Sequence, residues 1–477
     1  MFGGVGKSAG WATILVAGGI ILGGSVSARA ADLGGDCCAD LEERVAELEA
    51  TTARKGHKKV SLTVYGQVNE ALMWWDDGAE QNVYQVTNDN SRTRFGFKGS
   101  AKIAKDWKAG YVLEIGVRGA SSKRSNQFDS SAVGARDIGL DVRHSRWYIE
   151  SKHYGEVSVG VTPTAMESAT EQNLAHTKDI AKYSDVEDSG LGMIVRSNGV
   201  LSNGGGADDS IISWRRLIKD SGDPPGEGER RPGVWYVSPE FNGFNVEAGW
   251  GADDGWDVGL KYKGEFDKIK VLAAVAYGEN TDAINSQGFS NFFECLGTAV
   301  TGAPDPDADC HAVGASMSMM HEPTGLYFNL AGGWQEDERI PLDVAFRNNG
   351  GDDESTFWAI EVGIEKKFIE IGKTTFFGQY YDLDGGASER RTVAAADPIN
   401  PLGENAHIFS TGVQMWGGGV IQELSKVINL YAYYRHYEGE LALTEADGTP
   451  NGAGADGPTT VPIDDLDVVM SGALIKF

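Results

Sequence analysis

The ten residues VSLTVYGQVN, at positions 60–69, decide the fold. Apolar and polar side chains alternate there, with Val60, Leu62, Val64 and Val68 on one face and Ser61, Thr63, Gln67 and Asn69 on the other. Because successive side chains of a β-strand point to opposite faces, this alternation predicts a strand with one apolar and one polar face.

The same two-residue period recurs to the end of the chain. Sixteen segments show it, at residues 60–75, 92–98, 111–118, 146–150, 154–161, 234–241, 244–250, 256–266, 268–277, 311–320, 326–334, 357–368, 373–381, 407–420, 426–437 and 465–477. An even number of amphipathic strands is typical of a closed barrel in a bacterial outer membrane. A soluble β-sandwich or β-solenoid would explain the alternation as well.

The connections between these segments favour the barrel. Tight turns lie at residues 242–243, 267 and 370–372, whereas long loops rich in Gly, Asp and Asn lie at 279–309, 337–354, 382–405 and 438–462. Outer-membrane barrels have short turns on the periplasmic rim and long loops on the outer rim. We therefore predict an all-β protein, a transmembrane antiparallel β-barrel of about 16 strands.

A barrel of this size is too wide for its side chains to fill, so it encloses an aqueous channel. The polar strand faces would line that channel. The arginines predicted on the inner face are Arg92, Arg94, Arg118 and Arg146. A charged side chain that faced lipid at mid-depth would cost roughly 2–4 kcal/mol, which favours the inner position.

Composition narrows the classes of function. Of the 477 residues, 69 are Asp or Glu and 42 are Lys or Arg, and this acidic balance argues against nucleic acid as a partner. The sequence contains no HExxH motif, and its single GxSxG match, Gly6-Lys7-Ser8-Ala9-Gly10, lies at the far N-terminus before the first predicted strand, so we expect no catalytic residues and no enzyme. Ligand pairs with metal spacing are also lacking, and we expect no metal and no cofactor.

The N-terminus predicts export. Lys7 precedes an apolar stretch at residues 11–22, and Ala28-Arg29-Ala30 fits a signal-peptidase site. We expect a signal peptide at 1–30, a helical segment at 31–59 in the periplasm and a barrel domain at 60–477. Leu41, Val45 and Leu48 in the helical segment have coiled-coil spacing, which suits either a solvated helix or self-association.

Four cysteines accompany the predicted export. Cys295 and Cys310 lie in one Pro-, Gly- and Asp-rich stretch, and an exported chain can keep disulfides. We predict a Cys295–Cys310 disulfide. Cys37 and Cys38 could link chains or stay reduced.

The C-terminus carries a more specific signal. The chain ends in Leu474-Ile475-Lys476-Phe477, an amphipathic strand with a terminal aromatic residue. This ending resembles the signal by which the outer-membrane barrel assembly machinery recognises its substrates, so we expect Phe477 to act as an assembly signal.

Four segments resemble those of the general diffusion porins of Gram-negative bacteria, and of their alphaproteobacterial branch in particular. They are DCCADLEERVAELE at 36–49, VYGQVN at 64–69, YGEVSVG at 154–160 and YVSPEFNGF at 236–244. The resemblance implies a 16-stranded barrel embedded in outer-membrane lipids, a homotrimer, and a loop after the fifth strand that folds into the pore. The chain would then be a passive pore for small hydrophilic solutes and ions; a substrate-selective channel with a saturable site is the alternative.

Residues 162–230 take the place of the inward loop, although this stretch is unusually long for the family. Its acidic residues are Glu167, Glu171, Asp179, Asp185, Glu187 and Asp188. We expect these carboxylates to face the arginines of the inner wall, and the transverse field between them to set the ion preference.

Overall fold

The computed structural model describes residues 60–130, 139–206, 211–218, 223–251, 255–280, 310–338, 340–342, 350–445 and 458–477. The predicted signal peptide (1–30) and helical segment (31–59), with Cys37 and Cys38, lie outside these residues.

Strands dominate the described chain. They are β1 (Thr63–Asp76), β2 (Gln81–Thr87), β3 (Arg94–Ala104), β4 (Trp107–Arg118), β5 (Gly139–Ser151), β6 (Gly155–Thr162), β7 (Arg196–Ser197), β8 (Val200–Leu201), β9 (Arg231–Val237), β10 (Phe244–Gly251), β11 (Gly255–Phe266), β12 (Ile269–Asn280), β13 (Cys310–His321), β14 (Leu326–Asp337), β15 (Glu354–Ile369), β16 (Gly372–Gly385), β17 (Ser388–Val393), β18 (Ala406–Ser425), β19 (Ile428–Glu445), β20 (Thr459–Pro462) and β21 (Leu466–Lys476).

Sixteen of these strands form a closed antiparallel barrel. Each pairs with the next along the chain, in the order β1, β3, β4, β5, β6, β9 to β16, β18, β19 and β21. The last strand returns to the first, with pairs running from Gln67↔Lys476 to Asp76↔Asp467. The predicted fold class and strand number are confirmed.

One barrel strand is interrupted at mid-height. The lower part of β1 pairs with β3 and its upper part pairs with β2, so β2 and β3 together occupy one position in the wall. The chain between them makes a short 3₁₀ turn, Asp89–Ser91, in which Asn90 and Ser91 are buried. This excursion delivers polar residues to the barrel interior.

Two of the tight turns predicted from the sequence adopt a hairpin conformation. Asn242 and Gly243 both have positive φ angles, 51° and 86°, and so do Asp267 and Lys268, 46° and 68°. Two consecutive residues with positive φ form the hairpin turn whose twist matches that of the flanking strands.

The alternation within strands sorts side chains between the two faces. On β1, Val64 is 53 % exposed and Leu72 is 57 % exposed on the outer face, whereas Met73 on the inner face is fully buried. The outer face is therefore the apolar surface that lipid contacts.

The described residues between β6 and β9 lie inside the barrel. It holds β7 and β8, which form a two-stranded hairpin, 3₁₀ turns at His176–Asp179, Val186–Asp188 and Gly204–Gly206, and the short helix α1 (Trp214–Ile218). A further 3₁₀ turn lies at Ile340–Leu342. Within the described residues, no helix is long and apolar enough to span a membrane.

An apolar cluster holds this segment against one side of the barrel. Ile180, Tyr183, Leu191 and Trp214 of the segment pack with inward residues of the last strands. The ring centroids of Trp214 and Tyr437 are 6.2 Å apart. Burial of this apolar surface fixes the segment in place and fills that side of the lumen.

Candidate functional site

A polar cavity of about 620 Å³ remains on the opposite side of the lumen. Its lining comes from the wall strands β3, β4 and β5, from the chain after β4, and from the inward segment 163–230. The site residues predicted from the sequence that line it are Arg92, Arg94, Glu167, Glu171, Asp179, Asp185, Glu187 and Asp188. All six predicted acidic loop residues thus lie at one cavity, together with two of the four predicted arginines.

The wall side of the cavity carries three arginines and two carboxylates. Nε of Arg143 lies 2.8 Å from Oε1 of Glu114, and Nε of Arg94 lies 3.6 Å from the same oxygen. Arg92 lies 3.4 Å from Asp141. Because three positive charges share two negative ones, this wall keeps a net positive charge at neutral pH.

The loop side is anionic but is not purely acidic. Nζ of Lys182 lies 2.6 Å from carboxylate oxygens of both Glu171 and Asp185. A second lysine, Lys123, pairs in the same way with three carboxylates: Asp223 at 2.6 Å, Glu187 at 3.4 Å and Asp188 at 3.7 Å. Two lysines therefore balance only part of the charge of five carboxylates.

Burial of these carboxylates beside charged neighbours shifts their pKa values. Removal from water raises the pKa of Glu171 to about 7, an effect that the charge of Asp185 increases and that of Lys182 opposes. Removal from water likewise raises the pKa of Asp188 to about 6, against the charges of Lys123 and Lys182. For Asp185 itself burial would raise the pKa, but the charge of Lys182 and hydrogen bonds from Lys182, Ser184 and Glu171 together lower it.

Two groups of three carboxylates have oxygen atoms within 4.8 Å of one another. They are Glu171, Asp185 and Glu227, and Asp185, Glu187 and Asp188. Lys182 and Lys123 already lie among these carboxylates, so the chain itself supplies positive charge there.

Asp179 and Glu167 occupy the margins of the loop side. Asp179 lies 2.6 Å from Nζ of Lys476, next to the C-terminus, and Glu167 contacts Arg230. Burial would raise the pKa of Asp179, but the charge and hydrogen bond of Lys476, together with the charges of Lys178 and Arg94, lower it overall. The segment is thus bound electrostatically as well as by its apolar residues.

Two predicted arginines lie elsewhere or are not described. Arg146 is outside the cavity lining; its Nη1 lies 2.9 Å from Glu156, and its guanidinium lies 5.3 Å from the ring centre of Trp235. The side chain of Arg118 lies outside the described part of the structure.

Sequence reasoning missed several cavity residues. The most prominent are Glu114, Lys123, Arg143, His144, Lys182, Asp223, Glu227 and Arg230. Arg143 faces inward because the pairing of β4 with β5 shifts by one residue between Glu114 and Ile115. A strict period of two counted from Arg146 would place Arg143 on the lipid face, so the alternation did not predict that Arg143 lies at the cavity.

The anchor of the inward segment was also not predicted. Arg435 on β19 is fully buried and donates to the main-chain carbonyls of Lys182 and Val186. Tyr437 donates to the carbonyls of Val186 and Ser189, at 3.1 and 3.0 Å. These bonds fix the segment on the side where its carboxylates face the cavity.

The remaining predicted sites are Phe477 and the pair Cys295 and Cys310. Phe477 is exposed on the outer face, and its backbone pairs with Gly66 of β1. Cys310 is fully buried and disulfide-bonded, whereas Cys295 lies outside the described residues, so the identity of the partner stays a prediction.

Comparison with known proteins places the fold among bacterial channels. The family model described as Gram-negative porin matches residues 12–441, well over half of the chain. No curated protein sequence matches the chain.

Several solved structures are similar to this one. The anion-selective porin from Comamonas acidovorans is 14 % identical, with 88 % of this chain and 100 % of that chain covered and a TM-score of 0.49. The outer membrane channel DcaP of Acinetobacter baumannii is 11 % identical, with 89 % and 99 % covered and a TM-score of 0.48. OmpT of Vibrio cholerae in a trimer form is 14 % identical, with 88 % and 100 % covered and a TM-score of 0.46.

Proposed function

The chain belongs to the Gram-negative porin family and forms a diffusion channel in the outer membrane, and from that premise we propose that the charged cavity is its constriction. The single observation that carries this proposal is the cavity of about 620 Å³ between the basic wall and the inward segment. Arg92 and Arg94 would attract anions at one side, and Glu171 and Asp185 would attract cations at the other. Opposed charges of this kind orient dipolar solutes as they pass.

The permeating solutes would be small hydrophilic molecules and ions. The lining is almost entirely charged or polar, so it offers little apolar surface on which a solute could be held. This composition supports passive flow rather than a saturable binding site, and membership of the porin family supports a channel rather than an enzyme.

The functional unit would be a homotrimer, as the resemblance of the sequence to diffusion porins implies. Residues 1–30 would direct export, residues 31–59 would stay in the periplasm, and Phe477 would present the finished chain to the barrel assembly machinery. The four matching segments also favour an alphaproteobacterial source.

Liposome swelling with purified protein tests the proposal. Initial swelling rates in sugars of increasing size should fall steadily with size and should rise in proportion to concentration. Rates that saturate would favour the selective channel, and an absence of swelling, with no conductance in planar bilayers, would contradict a diffusion pore.

A further inference from the structure

A histidine and three carboxylates meet on the outer face of the barrel, near the rim that carries the long loops. His436 of β19 is paired in register with Trp416 of β18 on one side and with Asp467 of β21 on the other. Glu438 follows two residues later on the same face of β19, and Asp465 comes just before β21. Strand pairing therefore places one imidazole ring among three carboxylates.

One nitrogen of this ring is fixed by a hydrogen bond. Nδ1 of His436 lies 2.7 Å from Oδ1 of Asp467. Because an ionised carboxylate can only accept, Nδ1 carries the proton and donates it to this bond. The hydroxyl of Tyr434 donates to the same oxygen at 2.6 Å, and the ring centre of Trp416 lies 5.1 Å from that of the imidazole. The neutral ring thus presents an unprotonated Nε2 in a fixed direction.

Nε2 of His436 faces the two remaining carboxylates. It lies 3.7 Å from Oε1 of Glu438 and 3.9 Å from Oδ2 of Asp465, which is longer than a charge-assisted hydrogen bond of about 2.7–2.9 Å. A nitrogen lone pair and two negative oxygens repel one another unless a positive charge lies between them. Among the described residues, no lysine or arginine forms an ion pair with Glu438, Asp465 or Asp467.

We propose that His436, Glu438 and Asp465 bind a divalent transition-metal ion such as Zn²⁺. One imidazole nitrogen with carboxylate oxygens is a usual ligand set for such an ion. Bonds of about 2.0–2.1 Å around a tetrahedral ion place its ligand atoms roughly 3.3 Å apart, so each carboxylate has to approach Nε2 by only about half an ångström. The side chains of Glu438 and Asp465 are 56 % and 59 % exposed, which leaves them free to make this movement.

Asp467 acts on the ion through the histidine and is a positioning residue. A carboxylate on the second nitrogen of a metal-bound histidine fixes the orientation of the ring and makes the first nitrogen a stronger ligand, and its loss typically weakens metal binding about 10–100-fold. Asp467 holds this place at Nδ1 of His436. The site lies on the outside of the barrel, so it goes beyond the proposed constriction and does not depend on it.

A second histidine lacks this arrangement. Nδ1 of His311 on β13 meets the hydroxyl of Tyr277 at 2.9 Å instead of a carboxylate, and its Nε2 faces one carboxylate, that of Glu338, at 3.7 Å. Both histidines are largely buried on the outer surface near the same rim. His311 is therefore a matched control for a metal site at His436.

Isothermal titration calorimetry tests the site with Zn²⁺ as the probe. Untagged protein in detergent is stripped with EDTA and dialysed before the titration. We expect one tightly bound ion per chain, at least tenfold weaker binding in His436→Ala, and unchanged binding in His311→Ala. Equal affinity in His436→Ala and the unmodified protein would overturn the proposal, and so would an equal loss in the two histidine variants.

The visible absorption of bound Co²⁺ separates a ligand from the positioning residue. Glu438→Ala removes a ligand oxygen, and we expect the Co²⁺ bands to move. Asp467→Asn offers Nδ1 a weaker acceptor, and it should weaken binding at least tenfold with the bands unmoved. Unmoved bands in Glu438→Ala, or full affinity in Asp467→Asn, would contradict these roles; heat-modifiable electrophoretic mobility shows that each variant is folded.

Competition by Mg²⁺ tests the histidine ligand in the unmodified protein. Mg²⁺ prefers oxygen ligands, so an excess of about a hundredfold should leave the Co²⁺ bands in place. Complete displacement would mean that the ion is held by carboxylates alone and would overturn the assignment of His436.

Discussion

Gly66 and Phe477 exchange two backbone hydrogen bonds of 3.0 Å each, and a methyl group added to Gly66 would lie 2.6 Å from Cζ of the Phe477 ring. The last residue of the chain therefore closes the barrel on a glycine of the first strand, and its ring occupies the space that a side chain would need.

The variant Gly66→Ala should destabilise this closure. Overpacking of a tight contact costs typically about 1–3 kcal/mol, and we expect a lower midpoint of guanidinium unfolding in detergent. The control is Gly378→Ala on β16, where the nearest atom to an added methyl group is 3.8 Å away. Equal midpoints for the two variants would show that the Phe477 ring yields without cost.

Neutralising Arg92 and Arg94 together, as Arg92→Gln and Arg94→Gln, should shift ion selectivity towards cations. The change removes two positive charges and leaves Asp141 and Glu114 with less compensation. A unit charge about 8 Å from an ion in water contributes roughly 0.5 kcal/mol, so two charges should change the permeability ratio at least about fourfold.

Reversal potentials in a salt gradient measure that shift. The control exchanges Lys366 and Lys367, exposed residues outside the cavity, for glutamine. Unchanged reversal potentials in the arginine variant would argue against a constriction at this wall.

The cavity should lose cation preference as the pH falls. The pKa of Glu171 is about 7 and that of Asp188 is about 6, so both carboxyls take up protons between pH 8 and pH 5. Each proton removes a negative charge from the loop side, and the selectivity should move towards anions. The double variant Glu171→Gln and Asp188→Asn should show a flatter profile over this range; a profile as steep as that of the unmodified protein would exclude these two groups.

The variant Arg435→Met should loosen the inward segment. It removes charged donors that bind the carbonyls of Lys182 and Val186, and a hydrogen bond from a charged group contributes about 1.5–3 kcal/mol. We expect noisier single-channel current and a larger mean conductance. Arg146→Met removes an inward arginine whose hydrogen bonds go to Glu156 and Ser158 of β6, and we expect its single-channel current to stay steady; similar noise in both variants would contradict the anchor.

The partner of Cys310 can be identified directly. Cys310 is buried and disulfide-bonded at the start of β13. We expect non-reducing peptide mapping to find Cys295 in the same peptide pair. Recovery of Cys310 with Cys37 or Cys38 would show that the bond joins the barrel to the N-terminal segment.

Much of the fold could be predicted because polar and apolar residues alternate along the strands of an amphipathic barrel. Each of the sixteen predicted segments overlaps one strand of the closed ring, and the turn at Asn242-Gly243 has the expected backbone. The alternation on β1 also separates lipid-facing Val64 from inward Met73. These features depend on residues that are neighbours along the chain, so they can be recognised in the sequence.

The cavity could be predicted only in part because it depends on contacts between distant segments. The acidic residues at 167–188 could be identified from the sequence. That Lys182 and Lys123 lie among their carboxylates could not be predicted, since a lysine in a loop is usually solvated. Arg143 reaches the cavity through a register shift that breaks the period of two. The role of the buried Arg435 could not be predicted either, because the carbonyl groups that it binds lie about 250 positions earlier in the chain.

The position of the inward segment has a consequence for biogenesis. The segment is made early, but three of the residues that hold it, Arg435, Tyr437 and Val468, belong to the last strands of the barrel. Before the C-terminal hairpin is in place, the segment has only its contacts with earlier strands, such as those with Asn69 and Ser316, and lacks the hydrogen bonds from Arg435 and Tyr437. A chain that stops short of β19 would lack these anchoring hydrogen bonds, so a firmly held inward segment is a property that only the closed barrel acquires.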